Sequence, residues 1–330
     1  MGRGRREMPV IVTGGTGFVA SNVVKVLAEQ GREVISIDIA PPDELLLAYT
    51  ESVRGMITWA QADILNMSSI EEAASGKSIE GIIHAAVYTV VLEDLEKSDS
   101  KRIFDINLTG TVNMLELARK VGVKRFVYVS SGGVYGETPP EIPLMEDMQL
   151  DPTSLYSVTK YASELLTRRY AQLHGFEGAS GRLSGPYGPM ERQTGHRAVM
   201  SMMYDWTGKA IRGEPIKIEP RRSSGDMTYA LDLAAGLIAL LDAPKLNHSF
   251  YNVSRGIMVT QNEIVEAFRS AVPGIEFLQP TSEDGVGIGS GRGPADNTRL
   301  REDTGFNAEY DPAGGIRAYI EWRRRYDFTS

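Results

Sequence analysis

Tyr156 and Lys160 stand four residues apart in SLYSVTKYASELLTRRY, a stretch with helical periodicity, and the strand-like run VYVSSGGVYG lies upstream of it. Residues at i and i+4 share one helix face, so an ammonium at Lys160 would sit beside the phenol of Tyr156 and favour its ionised form. A phenol with an ordinary pKa of about 10 could then take up a proton near neutral pH. A hydroxyl from Ser130 or Ser131, brought to the same place, could hydrogen-bond the oxygen that gives the proton up. The chemistry would be proton transfer at an alcohol or a ketone. The same spacing also describes an ordinary amphipathic pair, so the surrounding elements must decide.

The N-terminal segment PVIVTGGTGFVASNVVKVLAEQGREVISIDIA reads as strand, glycine loop, amphipathic helix and second strand. Gly14 can supply the tight turn, and Gly15 and Gly17 would let the backbone approach a pyrophosphate at the positive end of the helix. Ala20 takes the third small position, where helix packs closely on strand. Asp38 ends the second strand, where a carboxylate accepts hydrogen bonds from the adenosine ribose hydroxyls and repels a 2′-phosphate. The following IAPPDE carries no arginine to welcome such a phosphate, so the sequence favours NAD over NADP.

Farther along, MITWAQADIL predicts a third strand ending in Asp63, and EGIIHAAVYTV a fourth that stops at His84, Ala85 and Ala86. Ligands of doubly wound sheets collect at the carboxyl ends of strands, so Asp63 could meet adenine and the two alanines could admit a dinucleotide; plain close packing explains the alanines equally well. KRIFDINLTGTVNMLELARKVG predicts a long amphipathic helix with Asn107 in its apolar half, either holding backbone or water, or a satisfied core amide. KRFVYVSS is a fifth strand that delivers Ser130 and Ser131 to the same edge. The fold class is therefore α/β, a Rossmann-type doubly wound parallel sheet with a smaller, mixed α/β C-terminal substrate domain. The expected division is 8–184 for the nucleotide domain with 226–255 returning to it, 185–225 and 256–330 for the substrate domain, and 1–7 as a disordered tail. In the second domain Arg192, His196, Arg197 and the cluster Met200, Met202 and Met203 could line a cleft, although methionines at such spacing are more often core filler. SEDGVGIGSGRGPAD reads as a mobile loop over the site.

At 330 residues the chain can bury a full core, and its net charge of −8 argues against a general affinity for nucleic acid. The absence of cysteine excludes disulfides and thiolate metal sites, and four scattered histidines (His84, His174, His196, His248) show no ligand spacing, so no metal is expected. Apolar runs such as LDLAAGLIALL are too short to span a bilayer. The expectation is a cytoplasmic enzyme acting on a small molecule, with neither nucleic acid nor membrane as partner.

Taken together, TGGTGFVA, Asp38, ADIL, HAA, SSGGVYG, YSVTK, GPYGP and DMTYALDLA resemble, in order and spacing, the extended short-chain dehydrogenase/reductase superfamily, in its NAD-dependent epimerase/dehydratase branch. The resemblance covers nearly the whole chain. It implies Ser131, Tyr156 and Lys160 as the catalytic set, with Asn107 helping to place the active-site helix and Lys160 bonding the nicotinamide ribose. It further implies that Thr13, Gly14, Gly17, Phe18, Val19, Asp38, Asp63, Ile64, Ala85 and Ala86 line NAD, and that helices near 101–121 and 153–174 form a homodimer. Substrate contacts fall on Ser131, Gly132, Gly185, Arg192, His196, Arg222 and Arg292. Two positions depart from the nucleotide-sugar enzymes of this group: Gly185 replaces a substrate-touching asparagine and Gly225 an arginine. Arg221, Arg222 or Arg292 could compensate, or be solvated surface charges. Gly132 and Gly133 occupy the place where sugar dehydratases carry an acid, which disfavours dehydration. The reading is an NAD-dependent oxidoreductase acting on a secondary alcohol of a sugar, sugar acid or polyol. The alternatives are a UDP-sugar 4-epimerase and a non-catalytic NAD-sensing protein.

Overall fold

Short runs of branched aliphatic residues form the centre of the computed structural model, which describes residues 8–90, 92–194, 199–218, 225–279 and 292–329. Seven strands pair in parallel: β1 (Val10–Thr13), β2 (Val34–Asp38), β3 (Ile57–Gln61), β4 (Gly81–His84), β5 (Arg125–Ser131), β6 (Glu177–Leu183) and β7 (Phe250–Val253). Their order across the sheet is β7-β6-β5-β4-β1-β2-β3. After β3 at one edge the chain crosses to β4 on the other side of β1, so the order reverses between β1 and β4 and opens a crevice at their carboxyl ends.

Helices cover both faces, as a parallel sheet requires. They are α1 (Phe18–Glu29), α2 (Glu44–Thr50), α3 (Met67–Ala74), α4 (Glu93–Phe104), α5 (Gly110–Val121), α6 (Leu155–His174), α7 (Met202–Arg212), α8 (Ala230–Asp242), α9 (Gln261–Ala271), α10 (Thr298–Thr304) and α11 (Pro312–Arg325). Alternate strand residues point to opposite faces. Val10, Val12, Ile83 and Val127 pack with Leu27 of α1 and Leu237 of α8, while Ile11, Ile35, Ile82 and Phe126 pack with Ile70 of α3 and Met114 of α5. The apolar sequence of α8 is explained by burial on most sides.

The long helix expected around 101–121 is interrupted. Asp99 leaves helical geometry within α4, and α4 joins α5 through a π-helical turn at Asp105–Thr109 that carries Asn107. Such turns release a backbone carbonyl from the helical ladder. Here the Asn107 carbonyl accepts from Ser163 Oγ of α6 at 3.1 Å and from Thr111 Oγ1 at 2.7 Å.

The second layer is a smaller mixed unit. Its strands are two residues long and pair as Pro186–Tyr187 with Thr228–Tyr229, Gly225–Asp226 with Met258–Val259, and Ile216–Lys217 with Phe277–Leu278. Trp206 of α7, Phe268 of α9 and Ile316, Tyr319 and Trp322 of α11 supply its core. Met202 and Met203 are buried among them, so these two methionines are core filler rather than cleft lining.

Candidate active site

The loop after β1 is built for close approach. Gly14 adopts φ +71°, which closes the turn through Gly17 N–H donating to the Gly14 carbonyl at 2.9 Å. A Cβ on Gly14 would stand 2.8 Å from Ala86 Cα, so the end of β1 lies directly against the residues that follow β4. Ala85 and Ala86 both donate their N–H groups to Thr13 Oγ1, at 3.2 and 3.1 Å, and Thr13 also contacts His84 Nδ1 at 2.6 Å. Burial pushes the His84 imidazole down to about 3, so it remains neutral between Thr13 and Thr111. Gly15 also meets the sheet. A side chain there would overlap Ser36 of β2, so the residue allows the loop to pack on the sheet.

Gly17 is the N-cap of helix α1; its missing side chain leaves the first turn without a side-chain cap, and no acidic residue crowds that turn. An uncapped helix N-terminus offers N–H donors and a positive dipole end to a pyrophosphate. Phe18 is buried and Val19 half-buried behind it. Asp38, at the end of β2, accepts from Thr16 N–H at 3.0 Å and Ala40 N–H at 3.2 Å, which fixes its carboxylate beside the loop. Asp63 accepts from Leu65 N–H at 2.9 Å, and Ile64 is buried with its carbonyl bound by Asn113 Nδ2 at 2.8 Å. A bare glycine turn and an uncapped helix after β1, with a held carboxylate at the end of the adjacent β2, fit a dinucleotide.

On the other side of the crevice, Ser154 caps α6 by accepting from Ser157 N–H at 3.1 Å, which places Tyr156 in the first helical turn. Lys160 follows one turn later and is buried; its Nζ donates to the Val129 carbonyl of β5 at 2.7 Å. The same ammonium lies 5.7 Å from the centre of the Tyr156 ring and 4.9 Å from that of Tyr128. Burial pushes the Lys160 amine down to about 7, against the opposing pull of Glu164. Ser131 ends β5, half-exposed, and its Oγ accepts from Gly133 N–H at 3.0 Å. Ser130 faces the opposite side, buried with its hydroxyl donating to Glu164 at 2.6 Å. Of the two serines, Ser131 is the partly exposed one, two residues beyond the Val129 carbonyl that holds Lys160. Asn107 is satisfied: its Oδ1 accepts from Tyr88 N–H at 2.8 Å and its Nδ2 donates to Thr159 Oγ1 at 3.0 Å, tying β4's exit loop to α6.

The sequence offered no role for Glu164 or Arg182, yet both lie beneath this site. Arg182 of β6 grips Glu164 with two nitrogens at 2.9 and 2.8 Å, and both side chains are fully buried. The available signal was spacing, since Tyr156, Lys160 and Glu164 repeat every four residues on one face of α6.

The residues expected to meet substrate diverge. Gly132 offers its carbonyl to Arg292 Nη1, so Arg292 reaches the catalytic loop. At Gly185, with φ +50°, a Cβ would overlap the Asp226 carbonyl, which explains why no asparagine stands there. Arg192 is a strut: it is buried, and its guanidinium donates to Asp43 at 2.9 Å, the Thr16 carbonyl at 3.1 Å and the Met190 carbonyl at 3.3 Å. That side chain clamps the small domain to the glycine loop and is spent as a substrate contact. His196, Arg197, Arg221 and Arg222 lie outside the described residues, as do the tail 1–7 and most of the glycine-rich loop. Among the described residues no helix is long and apolar enough to cross a membrane.

A family model described as the NAD dependent epimerase/dehydratase family matches residues 10–254. Among curated proteins, UDP-glucose 4-epimerase of Mycolicibacterium smegmatis is 28% identical over 96% of this chain and 99% of its own length. UDP-glucuronate 4-epimerase of Thermodesulfobacterium geofontis is 31% identical over 78% of each chain. Among solved structures, the NAD complex of UDP-glucose 4-epimerase from Thermus thermophilus superposes with a TM-score of 0.77 at 26% identity, over 96% of this chain and 99% of that one.

Proposed function

This chain belongs to the NAD-dependent epimerase/dehydratase family, and from that premise we propose that it is a UDP-sugar 4-epimerase acting through Ser131, Tyr156 and Lys160. The observation that supports this most is Tyr156 one helical turn from a buried amine whose Nζ is held by the Val129 carbonyl, two residues before Ser131 on the same strand, in a chain whose near-full-length relatives are named as 4-epimerases. The preference for net dehydrogenation, which rested on Gly185 and Gly225, yields to this alternative. Gly185 is set by its contact with Asp226, so its missing side chain says little about the reaction.

NAD, when bound, supplies the acceptor and later the donor of a hydride. Tyr156 takes the proton of the sugar hydroxyl, and Ser131 holds the same oxygen by a hydrogen bond. Lys160 presents its charge to the Tyr156 ring and favours the ionised phenol. The Val129 carbonyl and the rings of Tyr128 and Tyr156 fix where that ammonium sits. For epimerisation, Tyr156 returns the proton after the sugar has offered its other face. Asp38 and the uncapped start of α1 would hold the two ends of the dinucleotide's adenosine diphosphate half.

The test is incubation of purified protein and NAD with UDP-glucose, UDP-galactose and UDP-glucuronate, followed by chromatography of products and absorbance of NADH. Interconversion at C4 without net NADH is expected, and Tyr156→Phe should slow it by about 10²–10⁴-fold. Stoichiometric NADH would restore the dehydrogenase reading, and full activity in the Phe variant would remove Tyr156 from the mechanism.

A further inference from the structure

Arg292 places a guanidinium at the reacting end of the site. Its backbone is fixed by neighbours that reach across the molecule: Leu144 N–H donates to the Pro294 carbonyl at 2.9 Å, and Asp296 N–H to the Leu144 carbonyl at 3.0 Å. Ala295 N–H donates to Asp226 at 2.8 Å, and Ser254 Oγ to the Ala295 carbonyl at 2.7 Å. From this anchored segment the side chain extends to the carbonyl of Gly132, the residue after Ser131. Among the described residues no carboxylate pairs with it, and more than a third of the residue is open to solvent.

A guanidinium carries five N–H donors in a planar fork matched to carboxylate, and among the described residues one of them is bonded, to the Gly132 carbonyl. A neutral hexose would leave the rest facing only hydroxyls. The two anions that a nucleotide sugar can offer occupy different places relative to the reacting carbon. The diphosphate is attached to C1, across the ring from C4, whereas a uronate carboxylate is carried on C5, directly beside it. Arg292 is bonded to the residue that follows Ser131, whose hydroxyl would hold the oxygen on C4.

We infer that Arg292 receives the carboxylate of an acidic sugar, so that the preferred substrate of this site is a uronate. This rests on the proposed 4-epimerase activity and names its substrate class.

The experiment compares kcat/KM for UDP-glucuronate and UDP-glucose in wild type, Arg292→Met and Arg292→Lys, with calorimetric binding of both nucleotides to the NAD-loaded proteins. Wild type should favour the uronate, and the ratio of the two kcat/KM values should fall about 100-fold in the Met variant, as expected for loss of a charge-assisted bidentate pair. The Lys variant should retain part of the preference, and melting temperature and NAD affinity report whether the fold is intact. Equal losses for both sugars would overturn the inference, because that pattern belongs to a phosphate contact or to tuning of Tyr156. So would a wild-type ratio that favours the neutral sugar. If neither sugar turns over, the proposed activity fails and binding decides the inference separately: selective uronate binding lost in Arg292→Met sustains it, and absence of selectivity ends it.

Discussion

Lys160 carries out its proposed role at a cost to the fold. Its ammonium is buried, with the Val129 carbonyl and two aromatic rings in place of water, and its pKa falls to about 7 from 10.5. Below about pH 7 both folded and unfolded chains hold the proton, so the cost of burying the charge is fully present. Between about 7 and 10.5 the unfolded chain binds a proton that the folded one has released, and stability rises with pH. Replacement by Met removes both the charge and this titration. Lys160→Met should therefore melt several degrees above wild type at pH 7, with the difference shrinking towards pH 10, while losing activity by 10²-fold or more, on the order expected for a proton-transfer site. Melting curves of the NAD-free proteins across that range check the sign. A variant that melts lower at pH 7 would show that the amine is held favourably. The pair Tyr156 and Lys160 was legible because four-residue spacing is a local property. The depth of Lys160 was not, because it depends on β5 lying beneath α6, which no local pattern encodes.

Between elements, the corresponding device is the Glu164–Arg182 pair, which joins α6 to β6 and, through Ser130, to β5. Arg182 extends the network to Tyr135 at 3.1 Å, and Tyr135 donates onward to Asn252 of β7 at 2.7 Å. One set of polar contacts thus ties three neighbouring strands to the helix that carries Tyr156. Removing one partner leaves an unpaired charge in a dry interior, so Glu164→Gln or Arg182→Met should each destabilise the fold by about 3–5 kcal/mol. Substituting both should cost clearly less than the sum, which denaturant unfolding of the four proteins in a double-mutant cycle would measure. Additive losses would mean that the two side chains act independently. Glu164 also opposes the fall in the Lys160 pKa, so its loss should move the amine further down and, because the charged amine is the form that favours the ionised phenol, shift the alkaline limb of any pH–rate profile down with it. The first five strands were legible because each is a short apolar run ended by a turn or a functional residue, whereas β6, with the sequence EGASGRL, offers no such run. The π-helical turn at Asn107 was not, since its cause is the bond from its carbonyl to Ser163 on another helix.

Across the whole molecule, legibility fades from the N-terminal half to the small domain. Two-residue ladders give no alternation to read, and that domain is held by aromatic packing between distant segments, such as Tyr49 of α2 against Trp322 of α11 at 5.8 Å. One face of the larger domain remains partly uncovered. On α6, Val158 and Leu173 are 39% and 56% exposed, with Leu165 half-buried between them, and on the neighbouring helical run Phe104 is 37% exposed beside half-buried Leu108 and Val112. The spacing 158, 165, 173 keeps the first three on one side of α6, so they form an apolar stripe. Resemblance assigns these two helices to a homodimer. A symmetric pairing would bring each stripe against a copy of itself or its neighbour and remove that surface from water. Light scattering after size exclusion should then give twice the chain mass of 36.2 kDa. Because the side chains are exposed, Phe104→Glu with Leu173→Glu should leave the monomer folded, as NAD binding would report, while splitting the dimer. A wild type that runs at the chain mass, or a double variant that remains dimeric, would place the contact elsewhere or abolish it.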